Sequence, residues 1–134
     1  MMKKLESPSI DQWLKEAKND ADSLQEGMYL VHNGIVRETP KVKVREGIDN
    51  GSLVKGMEFS YDREKVDYYV KETKNREGIF HVRVWLNEGY LQVGDDIMYV
   101  MIGGDIRPHV IDALQYLVEK IKTECVVEIE KMIL

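Results

Sequence analysis

Cysteine, histidine and long apolar runs are all scarce in this chain, and each scarcity removes a class of protein. One cysteine, Cys125, stands in 134 residues, so no internal disulfide can form. His32, His81 and His109 fall at no zinc-binding spacing, and a bound metal is not expected. The longest unbroken apolar run, Ile97 to Ile102, is far short of the ~20 residues with which a helix crosses a bilayer. Basic residues are outnumbered, 19 against 24 acidic ones, for a net charge of -5. No stretch offers the positive face that phosphate neutralisation demands, so neither nucleic acid nor membrane is expected as a partner. The start, Met1 to Pro8, is basic but runs into acid and proline instead of an apolar h-region, which reads as a cytoplasmic protein.

What is present is enough for one core. With 43% of residues apolar, folding of a chain this long removes roughly two-thirds of its surface from water, and a single domain over residues 1–134 is expected. Ser9 and Gln12 read as a capping box opening a helix from Ile10 to about Leu24, with Trp13, Leu14, Ala17 and Ala21 on its buried stripe. A strand follows from Met28 to Arg37, then a polar segment from Thr39 to Ser52 that reads as a mobile loop holding at most a short hairpin. Val54 to Tyr61 alternates as a half-buried strand, and Asp62 caps a helix to about Arg76. A strand from Ile79 to Trp85 and a turn region around Gly89 and Gly94 come next. Asp96 to Ile102 is apolar on both faces, as a central strand should be. A helix striped with Val110, Ile111, Leu114, Leu117 and Val118 runs to about Thr123, and Cys125 to Ile133 closes the chain as a strand. From Val54 onward this is a ferredoxin-like βαββαβ order, preceded by a helix and a strand, in the α+β class.

Particular residues along this path give the chain a family likeness. Gly34-Ile35-Val36-Arg37 ends the first strand; Val54, Met57 and Phe59 build the next. Gly89-Tyr90-Leu91-Gln92-Val93-Gly94-Asp95 has the form Gly-x-Leu-x-x-Gly-acid, and Ile121-Lys122 ends the long helix. In these features the chain resembles the large, catalytic subunit of molybdopterin synthase over nearly its whole length. The resemblance implies an α/β hammerhead fold and a homodimer, or a heterotetramer with a small ubiquitin-like sulfur-carrier subunit. It also implies transfer of sulfur from the carrier's C-terminal thiocarboxylate to a cyclic pyranopterin phosphate, the pterin precursor, with no bound cofactor. Several positions depart from the family pattern, among them Leu86-Asn87 in place of a His-Arg pair before Gly89 and Ser60 in place of a common glutamate, and two bear on the chemistry. Ile106-Arg107 replaces a His-Arg pair, and Ile129 holds the place of a second catalytic lysine. A non-catalytic relative that binds the carrier as a dimeric interaction module is the alternative that such losses fit.

Lys122 is the residue singled out for catalysis, as an amine or general acid; a lysine closing a helix also simply favours the helix dipole. Arg37 ends an apolar strand and Arg107 opens a helix beside Gly103 and Gly104, where free N–H groups and close backbone approach favour an anion. Their ordinary alternative is a solvated arginine. Lys131, on the same strand face as Ile129 and about 7 Å further along, is the substitute for the second lysine if the strand slips. Cys125, between apolar neighbours, reads as a small core residue and not a nucleophile.

Overall fold

The computed structural model describes residues 3–133; Met1 and Met2, at the head of the basic start, lie outside them. Helix α1 (Ile10–Lys18) begins where the Ser9 hydroxyl accepts a hydrogen bond from the Gln12 N–H at 3.2 Å. The reciprocal half of the expected capping box does not form, because the Gln12 amide donates to Glu16 instead. The helix is also shorter than its stripe predicts. Asn19 and Asp20 compete for backbone hydrogen bonds and stop it, and a separate 3-10 turn (Ala21–Gln25) leaves Leu24 exposed.

Among the described residues six strands form two antiparallel sheets of three. In the first, β5 (Asp96–Gly104) lies between β1 (Met28–Ile35) and β3 (Ile79–Leu86). In the second, β2 (Leu53–Tyr61) lies between β4 (Gly89–Gln92) and β6 (Val126–Ile133). The βαββαβ order is retained, but hydrogen bonding divides its four strands: β3 pairs with β5, and β2 with β6. Helix α3 (Arg63–Lys74), capped by the Asp62 carboxylate, and α4 (Arg107–Lys120) pack on the first sheet. Strand β5 is central, as its doubly apolar run requires. Its Met98, Val100 and Ile102 join Val110, Ala113, Leu117 and Ile121 of the α4 region in the main core. On the opposite face Met101 packs with Trp13 and Ala17 of α1. Burying a side chain the size of Trp13 is worth about 2–3 kcal/mol, enough to hold a nine-residue helix that is marginal alone.

Two segments depart from the sequence reading. The polar 39–52 stretch contains a short helix, α2 (Lys41–Glu46), which follows Pro40 and ends at Gly47 in the left-handed conformation (φ 71°). The turn region after β3 contributes β4, whose Leu91 is wholly buried. Gly94, with φ 92°, then turns the chain so that its N–H reaches the Val36 carbonyl at 2.8 Å, while Val36 N–H donates to Asp95 at 3.0 Å. The Gly89-to-Asp95 motif thereby fixes the backbone immediately before Arg37.

Candidate functional site

A cavity of about 180 Å³ opens between the end of β1, the start of α2, the inward face of β6 and the segment after α4. Its charged lining is Arg37, Lys41, Lys122, Glu128 and Glu130, with His32 and Met98 among its other walls. Lys122 reaches it from a π-helical turn, Ile121–Cys125, that continues α4 where a regular last turn was expected. Buried Ile121 and Cys125 pin both ends of that turn, and Asp62 N–H donates to the Cys125 carbonyl at 2.9 Å. The turn's geometry is therefore set by the core, while Lys122 is left one-third exposed. Arg37 is exposed, and its Nε donates to the Thr39 carbonyl at 3.1 Å, which holds the guanidinium beside the start of α2.

Strand β6 supplies the carboxylates against the usual amphipathic logic. Its inward positions are Val126, Glu128 and Glu130, whereas Val127 and Ile129 face out and are about half exposed. The Glu128 side chain is only 6% exposed, and its oxygens meet Lys41 Nζ at 2.5 Å and Lys122 Nζ at 4.0 Å. Ion pairs with two lysines offset the cost of burying this carboxylate. Both Glu130 oxygens accept from the Lys41 backbone N–H at 3.3 Å. His32 Nε2 is buried with no hydrogen-bond partner among the described residues. Burial, reinforced by the Lys122 charge, pulls the His32 imidazole below its ordinary pKa of 6.5, so it is neutral at pH 7.

The structure thus brings Lys122 and Arg37 to one cavity and leaves the other sequence candidates elsewhere. Lys131 lies on the outward face of β6, opposite Gly56 and 3.7 Å from Glu58, because the strand holds its register there and residues 128 and 131 differ by an odd number. Arg107 sits exposed at the start of α4, separated from Lys122 by about 20 Å of helix at ~1.5 Å per residue. Gly103 and Gly104 are buried. A Cβ on Gly103 would lie 2.3 Å from Glu26 Oε1, and one on Gly104 would lie 2.5 Å from the Gly78 carbonyl. The protein's own groups fill the close approach these glycines permit. The sequence reading missed His32, Lys41, Glu128 and Glu130. Period-two alternation puts Glu128 and Glu130 on one face, but carboxylates on a strand ordinarily face solvent, so the alternation alone does not mark that face as the inner one. Nothing in the sequence brings residue 41 to residue 128. Cys125 is buried, which pushes its thiol up, as a core residue's would be.

Among the described residues no helix is long and apolar enough to cross a membrane, and no cluster of three or more His, Cys, Asp or Glu is placed to hold a metal ion. A family model described as MoaE protein matches residues 6–124. An uncharacterized protein of Methanocaldococcus jannaschii is 28% identical over 97 residues, which are 72% of this chain and 77% of that one. The crystal structure of molybdopterin synthase from Staphylococcus aureus superposes with a TM-score of 0.74 at 20% identity, over 95% of this chain and 87% of that chain. A complex of subunits 1 and 2 of the molybdopterin-converting factor from Helicobacter pylori does so at 0.65 and 16% identity, over 94% and 83%.

Proposed function

The chain belongs to the MoaE family of molybdenum cofactor biosynthesis, and from that premise we propose that it is a sulfur-transferring subunit whose reaction centres on the Lys122 cavity. The observation that carries this reading is the meeting of Lys122 and Arg37, far apart in sequence, on the same small cavity. A small ubiquitin-like carrier presents a C-terminal thiocarboxylate, and a cyclic pyranopterin phosphate accepts its sulfur. Both reactants are anionic. Arg37 at the cavity rim offers a planar donor fork for the phosphate or the carrier's terminus, and Lys122, about one-third exposed to water, serves as amine or general acid. Cations fixed by a folded frame stabilise developing negative charge without reorganising, which is the main source of rate such a site can provide. The H. pylori complex of two converting-factor subunits supports a carrier as partner. The compartment assigned is the cytoplasm.

A second reading has one specific observation in its favour. The outward face of the second sheet is an open groove of about 910 Å³ whose wall includes Val127, Ile129 and Met132, all substantially exposed. Such a surface suits a protein that binds a partner without catalysis. The two readings separate when purified protein is mixed with thiocarboxylated carrier and the cyclic pterin precursor. Dithiolene product that disappears in Lys122→Ala establishes the enzyme. Carrier binding without product establishes the interaction module.

A further inference from the structure

The cavity contains two amines even though Ile129 replaces the family's second lysine. The other is Lys41, and it arrives by a different route. Lys41 opens α2 after Pro40, and both inward carboxylates of β6 hold it: Glu128 takes its ammonium at 2.5 Å, and Glu130 takes its backbone N–H at 3.3 Å. The same Glu128 carboxylate meets Lys122 Nζ at 4.0 Å through its other oxygen. One carboxylate therefore contacts two amines from different elements, with Arg37 on the same cavity. The cavity's volume, about 180 Å³, is smaller than the ~300 Å³ at which ligand pockets usually begin, so it has room for an anionic group and not for a whole heterocycle.

We propose that Lys41 is the second amine of this site and that Glu128 occupies, in the ligand-free protein, the position of an incoming phosphate or carboxylate between Lys41 and Lys122. The proposal rests on the sulfur-transfer reading and names one more residue of its binding machinery. A phosphate monoester brings up to two negative charges and three acceptor oxygens, against the single shared charge of Glu128, so it competes for both ammonium groups. Displacing Glu128 removes one of the two ties between β6 and α2, leaving Glu130 on the Lys41 N–H, and frees space in the cavity toward the ring. A purely structural tie behaves differently. If the Lys41–Glu128 pair only anchored α2, removing either partner would loosen the same helix and weaken anion binding in the same direction. If Glu128 competes with the anion, the two removals act in opposite directions.

The test is calorimetric titration of the full chain with inorganic pyrophosphate at low salt, followed by single-turnover sulfur transfer with carrier and cyclic pterin. Lys41→Ala should weaken pyrophosphate binding about tenfold and Lys41→Arg should recover most of it, as expected for a charge-assisted contact. Glu128→Gln should tighten binding several-fold. Lys43→Ala, on the same helix but paired with exposed Asp49 at 3.1 Å, should change nothing. Loss of binding in both Lys41→Ala and Glu128→Gln overturns the proposal, as does absence of pyrophosphate binding by the unmodified protein. If the expected binding pattern appears but no sulfur is transferred, the anion site stands and the sulfur-transfer reading falls. If Lys41→Ala transfers sulfur at the full rate, the sulfur-transfer reading stands and the role of Lys41 falls.

Discussion

The two faces of β6 differ in a way that a simple amphipathic strand would invert. Facing in, Glu128 and Glu130 tie α2 to the strand and put a carboxylate between Lys41 and Lys122. Facing out, Val127 and Ile129 border an open groove, and Lys131 pairs loosely with Glu58 across a surface both share with water. The inner face can bury charge because it gathers opposite charges from three separate segments, and buried ions persist only when paired. Among the described residues the outer face has no covering layer, and its apolar side chains are left in solvent. A single residue of offset along the strand thus separates chemistry from surface.

The largest expected effect tests whether the cationic function belongs to the inner side. Lys122→Ala should lower single-turnover sulfur transfer about a hundredfold, the usual scale for a lost general acid. Lys131→Ala should change it less than about twofold, since exposed pairs contribute little. Equal losses in the two variants would erase the distinction between the faces. Stability sharpens it next. Glu128→Ala should cost about 1–2 kcal/mol, read as a lower denaturant midpoint, because it strands the Lys41 ammonium and opens the β6 contact to α2. Ile129→Ala, at a position already half exposed, should stay within about 0.5 kcal/mol.

The smallest effect sets the His32 cavity wall against His109 at the start of α4. His32 has a lowered pKa, so above 6.5 it is neutral in both folded and unfolded chains. As pH falls below 6.5 the unfolded chain takes up a proton that the folded one resists, and stability drops. His109 is raised, chiefly by its hydrogen bond to Asp105 at 2.8 Å. Its contribution is complete below 6.5 and is lost as pH rises through the higher folded value. Denaturant midpoints followed from pH 5 to 8 should therefore lose part of their acid-side fall in His32→Gln and part of their alkaline-side fall in His109→Gln. Identical changes in the two variants would contradict the opposite environments assigned to them.

Much of the frame was legible because its signals are local. The Ser9 and Asp62 caps, the alternation of β2 and the doubly apolar β5 all appear where local chemistry puts them. Lys122 and Arg37 could be singled out through the family likeness. Helix α2 was missed because its polar sequence has no buried residue to give it a stripe, and β4 because four residues around a glycine turn carry almost no periodic signal. The order of strands was readable, but their division into two sheets was not, since hydrogen-bond partners are chosen by the packing of the whole chain.

Periodicity and capping by themselves determined that this chain is an α+β protein with a sparse set of candidate cations; its family came from the likeness of particular motifs and from the family-model match. Periodicity and capping act within a few residues, so most of their signals survive into the fold. Only the tertiary structure decided which of those cations share a cavity. That choice depends on contacts such as Lys41 to Glu128, whose residues are 87 positions apart (128 less 41), and on which way β6 turns its carboxylates. Closing so long a loop has an entropic cost that a local sequence pattern neither encodes nor reveals.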